Sequence, residues 1–328
     1  MKPKVFLTRR LPPAVMERLQ RETDLAWHSE DRVATKAEII AGMKGREVLQ
    51  GREALLCNIL DRVDAELLDR CPGLKVVANF GVGFNNIDVA AATARKIPVT
   101  NTPGVLTDTT ADMAFTLMLA VARRLGEGER LVRAQQWTGW QPLQLLGADV
   151  TGATLGIIGY GRIGRALARR AQAFDMRVIY WNRTRLPAAD EAGATYASFD
   201  DVLRQSDFVS LHVAYNSETH HLLGEKQFAL MKPTAFVINT TRGAVIDEAA
   251  LVRALQTRRI AGAGLDVFER EPQLEPGLGE LENVVLAQHL GSATIGTRTR
   301  MGMIAVDNLL VACAGQRPPN CVNPQVLG

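Results

Sequence analysis

The chain has 328 residues, 47% of them apolar and 22% charged, and its 38 basic and 35 acidic side chains leave a formal charge of +3. That is the make-up of an ordinary globular protein, and the length suits two domains because single hydrophobic cores stop growing near about 250–300 residues. The near balance of charge, without a long run of either sign, speaks against nucleic acid or an anionic membrane as partner.

The opening "MKPKVFLTRR" has a basic start, but its apolar run covers only Val5 to Leu7. A signal-peptide core needs about 7–15 residues, so this reads as a first strand. Further short apolar runs follow at 54–60, 74–80 and 97–101, separated by helical patterns. From Thr154 the rhythm restarts, with strands predicted in 154–159, 176–181, 207–213, 235–240, 261–268 and 283–288. Helices are predicted over 162–174, 247–256 and 297–314. Alternation of this kind implies an α/β fold of parallel sheets flanked by helices, six of the strands filling a doubly wound sheet.

Between the two series, "TNTPGVLTDTT" marks a boundary, with Thr107 or Asp108 as cap of the apolar helix that follows. The apolar stretch from Ala111 to Ala122 is interrupted by Asp112 and is well short of the roughly 18–20 residues of a membrane span. The stretch 134–147, "AQQWTGWQPLQLLG", holds two of the four tryptophans without a clean period and is expected to pack on another subunit. The last helix is expected to return to the first domain. The domains are then 1–101 with 291–328, and 102–290. Cys57, Cys71, Cys313 and Cys321 form no C-x-x-C pair, which points to reduced thiols and a cytoplasmic protein. No H-x-x-x-H or clustered His/Asp spacing implies a metal.

The strongest local motif is "LGIIGYGRIGRALARR", where Gly159, Gly161 and Gly164 form G-x-G-x-x-G between a strand and a helix. The first glycine permits the turn, the second lets backbone approach a pyrophosphate, and the third lets helix pack on strand. A dinucleotide is therefore expected at the helix start. In NAD-binding proteins an acidic residue about 20 residues on takes the ribose hydroxyls. Here the second strand ends in Trp181-Asn182-Arg183-Thr184-Arg185, with Asp175 before it and Asp190 well past the turn. Arg183 and Arg185 can pair with a 2′-phosphate and Asn182 and Thr184 can donate to it, so NADPH is expected over NADH.

"NFGVGFNNID" holds a second glycine pair, and the N–H groups of Val82 and Gly83 could cradle a carboxylate. Three later strand ends carry Arg242, the acids Asp266, Glu269 and Glu271, and His289. Ligands of open α/β sheets bind beyond the carboxyl ends of the strands. Arginine to bind and polarise a 2-keto acid, histidine to supply a proton, and a carboxylate to keep that histidine charged are what its reduction requires. Spacing leaves the choice between the two glutamates open. His212 sits among apolar residues and reads as structural.

The ordered set "VANFGVGFNNID", "GIIGYGRIG", "NTTRGAVIDEAAL", "AGLDVFEREP" and "QHLGSAT" resembles the D-isomer-specific 2-hydroxyacid dehydrogenases over nearly the whole chain. Within them, the "NRTR" stretch, "WTGW" and "NCVNP" are most similar to the glyoxylate/hydroxypyruvate reductases, including the 2-ketogluconate reductase branch. The resemblance implies a flavodoxin-like substrate domain beside a Rossmann dinucleotide-binding domain. It implies Arg242, Glu271 and His289 as the catalytic residues, and Val82, Gly83 and Ser292 at the substrate. Arg162, Ile163, Val213, Thr240 and Asp266 would line the cofactor. It also implies a homodimer joined by an arm at about 123–150, with Trp140 reaching the partner's site. One departure stands out: Ala214-Tyr215-Asn216 replaces the Pro-Leu-Thr common in the family. The expected activity is NADPH-dependent reduction of glyoxylate, hydroxypyruvate or 2-keto-D-gluconate to the D-2-hydroxy acid. The alternatives are an NAD-dependent member acting on D-lactate, D-3-phosphoglycerate or formate, and a dinucleotide-sensing corepressor.

Overall fold

In the computed structural model, which describes residues 2–44 and 51–327, the chain divides into two compact units, Met1–Leu106 with Thr294–Gly328, and Thr107–Ala293. The first begins with β1 (Lys4–Leu7), α1 (Pro13–Glu22), β2 (Asp24–Trp27), α2 (Lys36–Lys44) and β3 (Ala54–Asn58). It continues with α3 (Ala65–Asp69), β4 (Val76–Phe80), α4 (Val89–Ala94) and β5 (Val99–Thr100). The five strands are all parallel, in the order β2-β1-β3-β4-β5. The central strands read as continuous apolar runs because helices cover both faces of the sheet. Strand β2, absent from the sequence expectation, is an edge strand of only four residues with half-exposed side chains, so it lacks the apolar signature.

The second unit runs α5 (Thr107–Ala122), α6 (Leu125–Arg133), β6 (Thr154–Ile158), α7 (Arg162–Gln172), β7 (Arg177–Trp181), β8 (Thr195–Tyr196) and α8 (Phe199–Gln205). Then follow β9 (Phe208–Leu211), α9 (Glu225–Phe228), β10 (Phe236–Asn239), α10 (Glu248–Gln256), β11 (Gly262–Leu265) and β12 (Val284–Leu286). Its seven strands are parallel in the order β12-β11-β10-β9-β6-β7-β8, so the order reverses beside β6. The crevice at that reversal is where doubly wound sheets bind ligands. The six predicted strands all form, each shorter than its apolar run, and the two-residue edge strand β8 adds a seventh.

Helix α5 begins at Thr107 itself, so neither Thr107 nor Asp108 is its cap. Its buried face, Ala111, Ala114, Leu117, Met118 and Val121, packs on the sheet beside α7. Helix α7 stops two residues earlier than its pattern, and Asp175, at φ +55°, makes the turn into β7. Arg124 at φ +51° separates α5 from α6 and forms a two-bond pair with buried Glu127. Between α6 and β6 the chain has neither helix nor strand, and it exposes Trp137, Leu146, Trp140 (82%) and Leu143 (81%).

The last helix, α11 (Ile295–Cys313), is capped by Thr294, whose hydroxyl accepts from the Thr297 N–H at 3.2 Å. It packs on β4, β3 and α1 of the first unit. The closing "NCVNP" stretch is fastened there by buried Asn323, which accepts from the Val99 N–H (2.8 Å) and donates to the Ile97 carbonyl (3.0 Å). All four cysteines are free thiols, and among the described residues no helix is long and apolar enough to cross a membrane.

Candidate active site

The glycine loop joins β6 to α7. Gly159 sits at φ +98°, a region that L side chains avoid, and a Cβ there would lie 2.6 Å from the His212 carbonyl carbon. Gly161 caps α7 without a side-chain bond, and nothing lies within 4 Å of its Cβ position. A Cβ on Gly164 would meet the Gly159 oxygen at 2.6 Å, which keeps helix and strand in contact. Arg162 and Ile163 lie in that first turn. Thr240, just after β10, has a buried hydroxyl with no hydrogen bond among the described residues. An uncapped helix start, an open glycine and an orphaned hydroxyl fit a dinucleotide.

The end of β7 divides its polar residues among different tasks. Asn182 does not point outward alone: its Oδ1 accepts the Tyr160 N–H at 2.6 Å, tying the strand end to the glycine loop. Arg185, expected beside Arg183 as a phosphate ligand, is engaged by Glu191, with bonds of 2.8 and 3.3 Å, and its guanidinium stands 5.7 Å from the Tyr196 ring centre. The Tyr180 hydroxyl donates to the same Glu191 oxygen at 2.9 Å, and Tyr180 stacks on Tyr160 with centroids 4.4 Å apart. Arg185 and then Tyr180 hold the Glu191 carboxyl below its ordinary range. Arg183 and Arg185 are both exposed, and Arg183, the more open of the two, meets Glu218 at 2.6 Å. A carboxylate does therefore stand near this strand end. It comes from the loop after β9, two residues past Ala214-Tyr215-Asn216, and not from β7 or the turn that follows it. Asn216 shapes that loop by accepting the N–H groups of Glu218 and Thr219.

Three neighbouring strands, β10, β11 and β12, deliver the other group of residues. After β10, Asn239 accepts from the N–H and hydroxyl of Thr241 and donates to the Arg242 carbonyl, setting the turn. Arg242 Nη1 donates to the Thr241 carbonyl at 2.8 Å. Burial draws its guanidinium below the ordinary range, and Glu271 opposes that shift. After β11, Asp266 is buried and accepts from the N–H groups of Leu290 (2.6 Å) and Gly291 (2.7 Å). Its backbone carbonyl takes the His289 N–H at 2.8 Å. Burial raises the Asp266 carboxyl despite the two N–H bonds. The expected cofactor contact thus also organises the loop that holds the histidine.

His289, at φ +57°, places Nδ1 2.9 Å from Glu271 Oε2, while Glu271 Oε1 accepts the Phe268 N–H at 3.0 Å. Burial works against the Glu271 charge, but the His289 bond and charge outweigh it, and the carboxyl stays below its ordinary range. Glu269, which spacing could not separate from Glu271, turns instead to His221 at 2.9 Å. His212 bonds Ser210 at 2.9 Å, and burial pushes its imidazole down to about 3, so it stays neutral. Ser292 follows in the His289 loop, half-buried, and Val213 packs at the edge of the core. Trp140 lies in the exposed arm. In the first unit, Asn101 and Asn79 donate to the carbonyls of Val82 and Gly83, each at 2.8 Å.

Comparison with known proteins bears on this arrangement directly. The family model for the D-isomer specific 2-hydroxyacid dehydrogenase NAD binding domain matches residues 115–291, a span that includes the glycine loop, Arg242, Glu271 and His289. The chain is 49% identical to a glyoxylate reductase of Thermococcus litoralis, over 100% of this chain and 98% of that protein. Among solved structures, a glyoxylate reductase from Paecilomyes thermophila superposes with a TM-score of 0.87 at 37% identity, covering 99% of each chain. An NADPH-dependent glyoxylate/hydroxypyruvate reductase from Sinorhizobium meliloti, in complex with NADP and malonate, gives 0.87 at 34% identity over 99% of this chain and 98% of that one. With the doubly wound sheet, the glycine loop and full-length likeness in agreement, the chain belongs to the D-isomer-specific 2-hydroxyacid dehydrogenases.

Proposed function

We propose that this oxidoreductase reduces glyoxylate and hydroxypyruvate, and 2-keto-D-gluconate as a larger substrate, to D-2-hydroxy acids with NADPH. The observation that carries the reading is the 2.9 Å bond between His289 and Glu271, formed at the strand ends that also present Arg242, in the sheet that carries the glycine loop. The bound nicotinamide supplies the hydride. Arg242 grips the keto acid and draws electron density toward the carbonyl oxygen, its planar fork matching carboxylate and carbonyl together. His289, held through Nδ1, gives its Nε2 proton to that oxygen as negative charge develops. Glu271 fixes the ring through its bond to Nδ1. The N–H groups of Val82 and Gly83 bind the substrate carboxylate, their carbonyls being occupied by asparagines, and Ser292 borders the substrate.

Glycines 159, 161 and 164, with Arg162 and Ile163, take the pyrophosphate; Val213, Thr240 and Asp266 line the rest of the cofactor. Arg183 is the 2′-phosphate ligand, with Thr184 as donor, and the NADP bound to the Sinorhizobium relative supports that choice. Arg185 and Asn182 act behind it, holding the loop. The arm at 123–150, with its exposed tryptophans and leucines, joins a homodimer in which Trp140 reaches the partner's site. Four free thiols suit the cytoplasm.

Following NADPH and NADH oxidation with glyoxylate, hydroxypyruvate, 2-keto-D-gluconate, pyruvate and 3-phosphohydroxypyruvate tests the reading. The first two substrates with NADPH are expected to give the highest kcat/KM; preference for a phosphorylated substrate, or no turnover of any, would overturn it. Arg183→Asp is expected to move the NADPH/NADH ratio of kcat/KM toward NADH by about 10- to 100-fold, the worth of one charge-assisted hydrogen bond. An unchanged ratio removes Arg183 as the phosphate ligand.

A further inference from the structure

The turn that presents Glu271 gives two successive N–H groups to two different carboxylates. Phe268 N–H goes to Glu271 itself, and Glu269 N–H goes to Glu248 Oε1 at 2.8 Å. Glu248 opens α10, yet it is 2% exposed, and its Oε2 is buried with no hydrogen bond among the described residues. An acid in the first turn of a surface helix ordinarily keeps both oxygens in water. Capping does not explain it, because Asp247 performs that task by accepting the Ala250 N–H at 2.9 Å. Between the two segments there is no room to spare: a Cβ on Gly243 would stand 1.9 Å from the Phe268 carbonyl carbon and 2.1 Å from the Glu269 nitrogen. The turn holding Glu271 thus lies against the segment holding Arg242, and Glu248 is the side chain that bonds one to the other.

We propose that Glu248 is a positioning residue for the acid/base pair: by holding the Glu269 N–H it sets where Glu271 stands toward His289 and Arg242, and it does so as a hydrogen-bond acceptor. The proposal rests on the reading of Glu271 and His289 as that pair. Burial pushes the Glu248 carboxyl up to about 7; the Glu269 N–H bond opposes this, the Glu269 and Glu275 charges add to it, and Arg270 opposes it. Near neutrality a sizeable fraction is the uncharged acid, whose carbonyl oxygen still accepts an N–H. Glutamine preserves that acceptor, whereas alanine removes it and leaves the N–H buried without a partner.

The test is the pH profile of kcat for glyoxylate reduction with saturating NADPH in Glu248→Ala, Glu248→Gln and Glu271→Gln. Glu248→Ala is expected to lower kcat about tenfold, a displaced catalytic group being costly, and to move the alkaline limb to lower pH as Glu271→Gln does. Glu248→Gln is expected within about twofold of the parent, with the limb in place. A loss of folding stability alone does not move the limb. Should Glu248→Ala fail to fold, Glu248→Asp, one methylene shorter, carries the same expectation. A folded Glu248→Ala or Glu248→Asp with the parent rate and limb overturns the proposal, as does Glu248→Gln impaired as much as alanine. If Glu271→Gln itself leaves rate and limb unchanged, the acid/base reading falls; if it shifts them and the Glu248 variants do not, only the positioning role falls.

Discussion

Asparagine at position 289 is expected to lower kcat for glyoxylate reduction by about 10³-fold, within the range assigned to a general acid, while NADPH binding followed by fluorescence stays within about twofold. His289 touches Glu271 and takes its backbone place from Asp266, and neither contact belongs to the glycine loop. Asparagine suits the test because it tolerates the left-handed region that φ +57° requires, and alanine does so less well. The alkaline limb of the parent profile, where the proton donor empties, should be missing from the variant. Stability gives a separate readout on the acid side. Glu271 is held below its ordinary value in the fold, so the pair's contribution is present above the unfolded value near 4.5 and is lost as pH falls through the folded one. The gap in Tm between parent and His289→Asn should therefore narrow as the medium is acidified below that point. A variant that retains near-normal turnover removes His289 as the donor.

Arg242→Ala is expected to reduce kcat by about 10²–10³-fold, the loss typical of one preorganised donor to a developing oxyanion, and to raise KM for the keto acid as well. Lysine should recover little of either, because a point charge does not reproduce the guanidinium fork. The substitution also withdraws a positive charge that helps keep Glu271 ionised. Its pH profile should therefore change shape as well as height. Parallel losses in kcat and kcat/KM mark an interaction made in the transition state, whereas a rise in KM alone would restrict Arg242 to binding. Retention of kcat/KM within about threefold in Arg242→Ala would exclude both roles.

What could be read without coordinates follows from how each feature is encoded. Central parallel strands are apolar on both faces, so β6, β9, β10 and β11 announce themselves; edge strands β2 and β8 have little to bury and do not. The residues at the strand ends were legible by type, since arginine, carboxylate and histidine after successive strands form a chemical set. Choosing between Glu269 and Glu271 was not, because two residues in one turn differ only in where the turn points them. Asn182, Arg185 and Glu218 escaped for another reason. Their partners Tyr160, Glu191 and Arg183 lie 22, 6 and 35 residues away, and nothing local marks those pairings. Glu248 looked like any acid in the first turn of a helix until its burial was visible.

The tyrosine stack behind the end of β7 bears on how this enzyme can change over generations. Arg185 is bound into that stack through Glu191, and Asn182 into the glycine loop, so altering either disturbs the framework that every dinucleotide must use. Arg183 belongs to neither and stands in solvent beside Glu218. With Arg183 in the role proposed for it, cofactor choice could drift around that residue without first passing through an unstable ancestor. A lineage moving between NADPH and NADH would accumulate its replacements at 183 and 218 and leave the residues behind them alone.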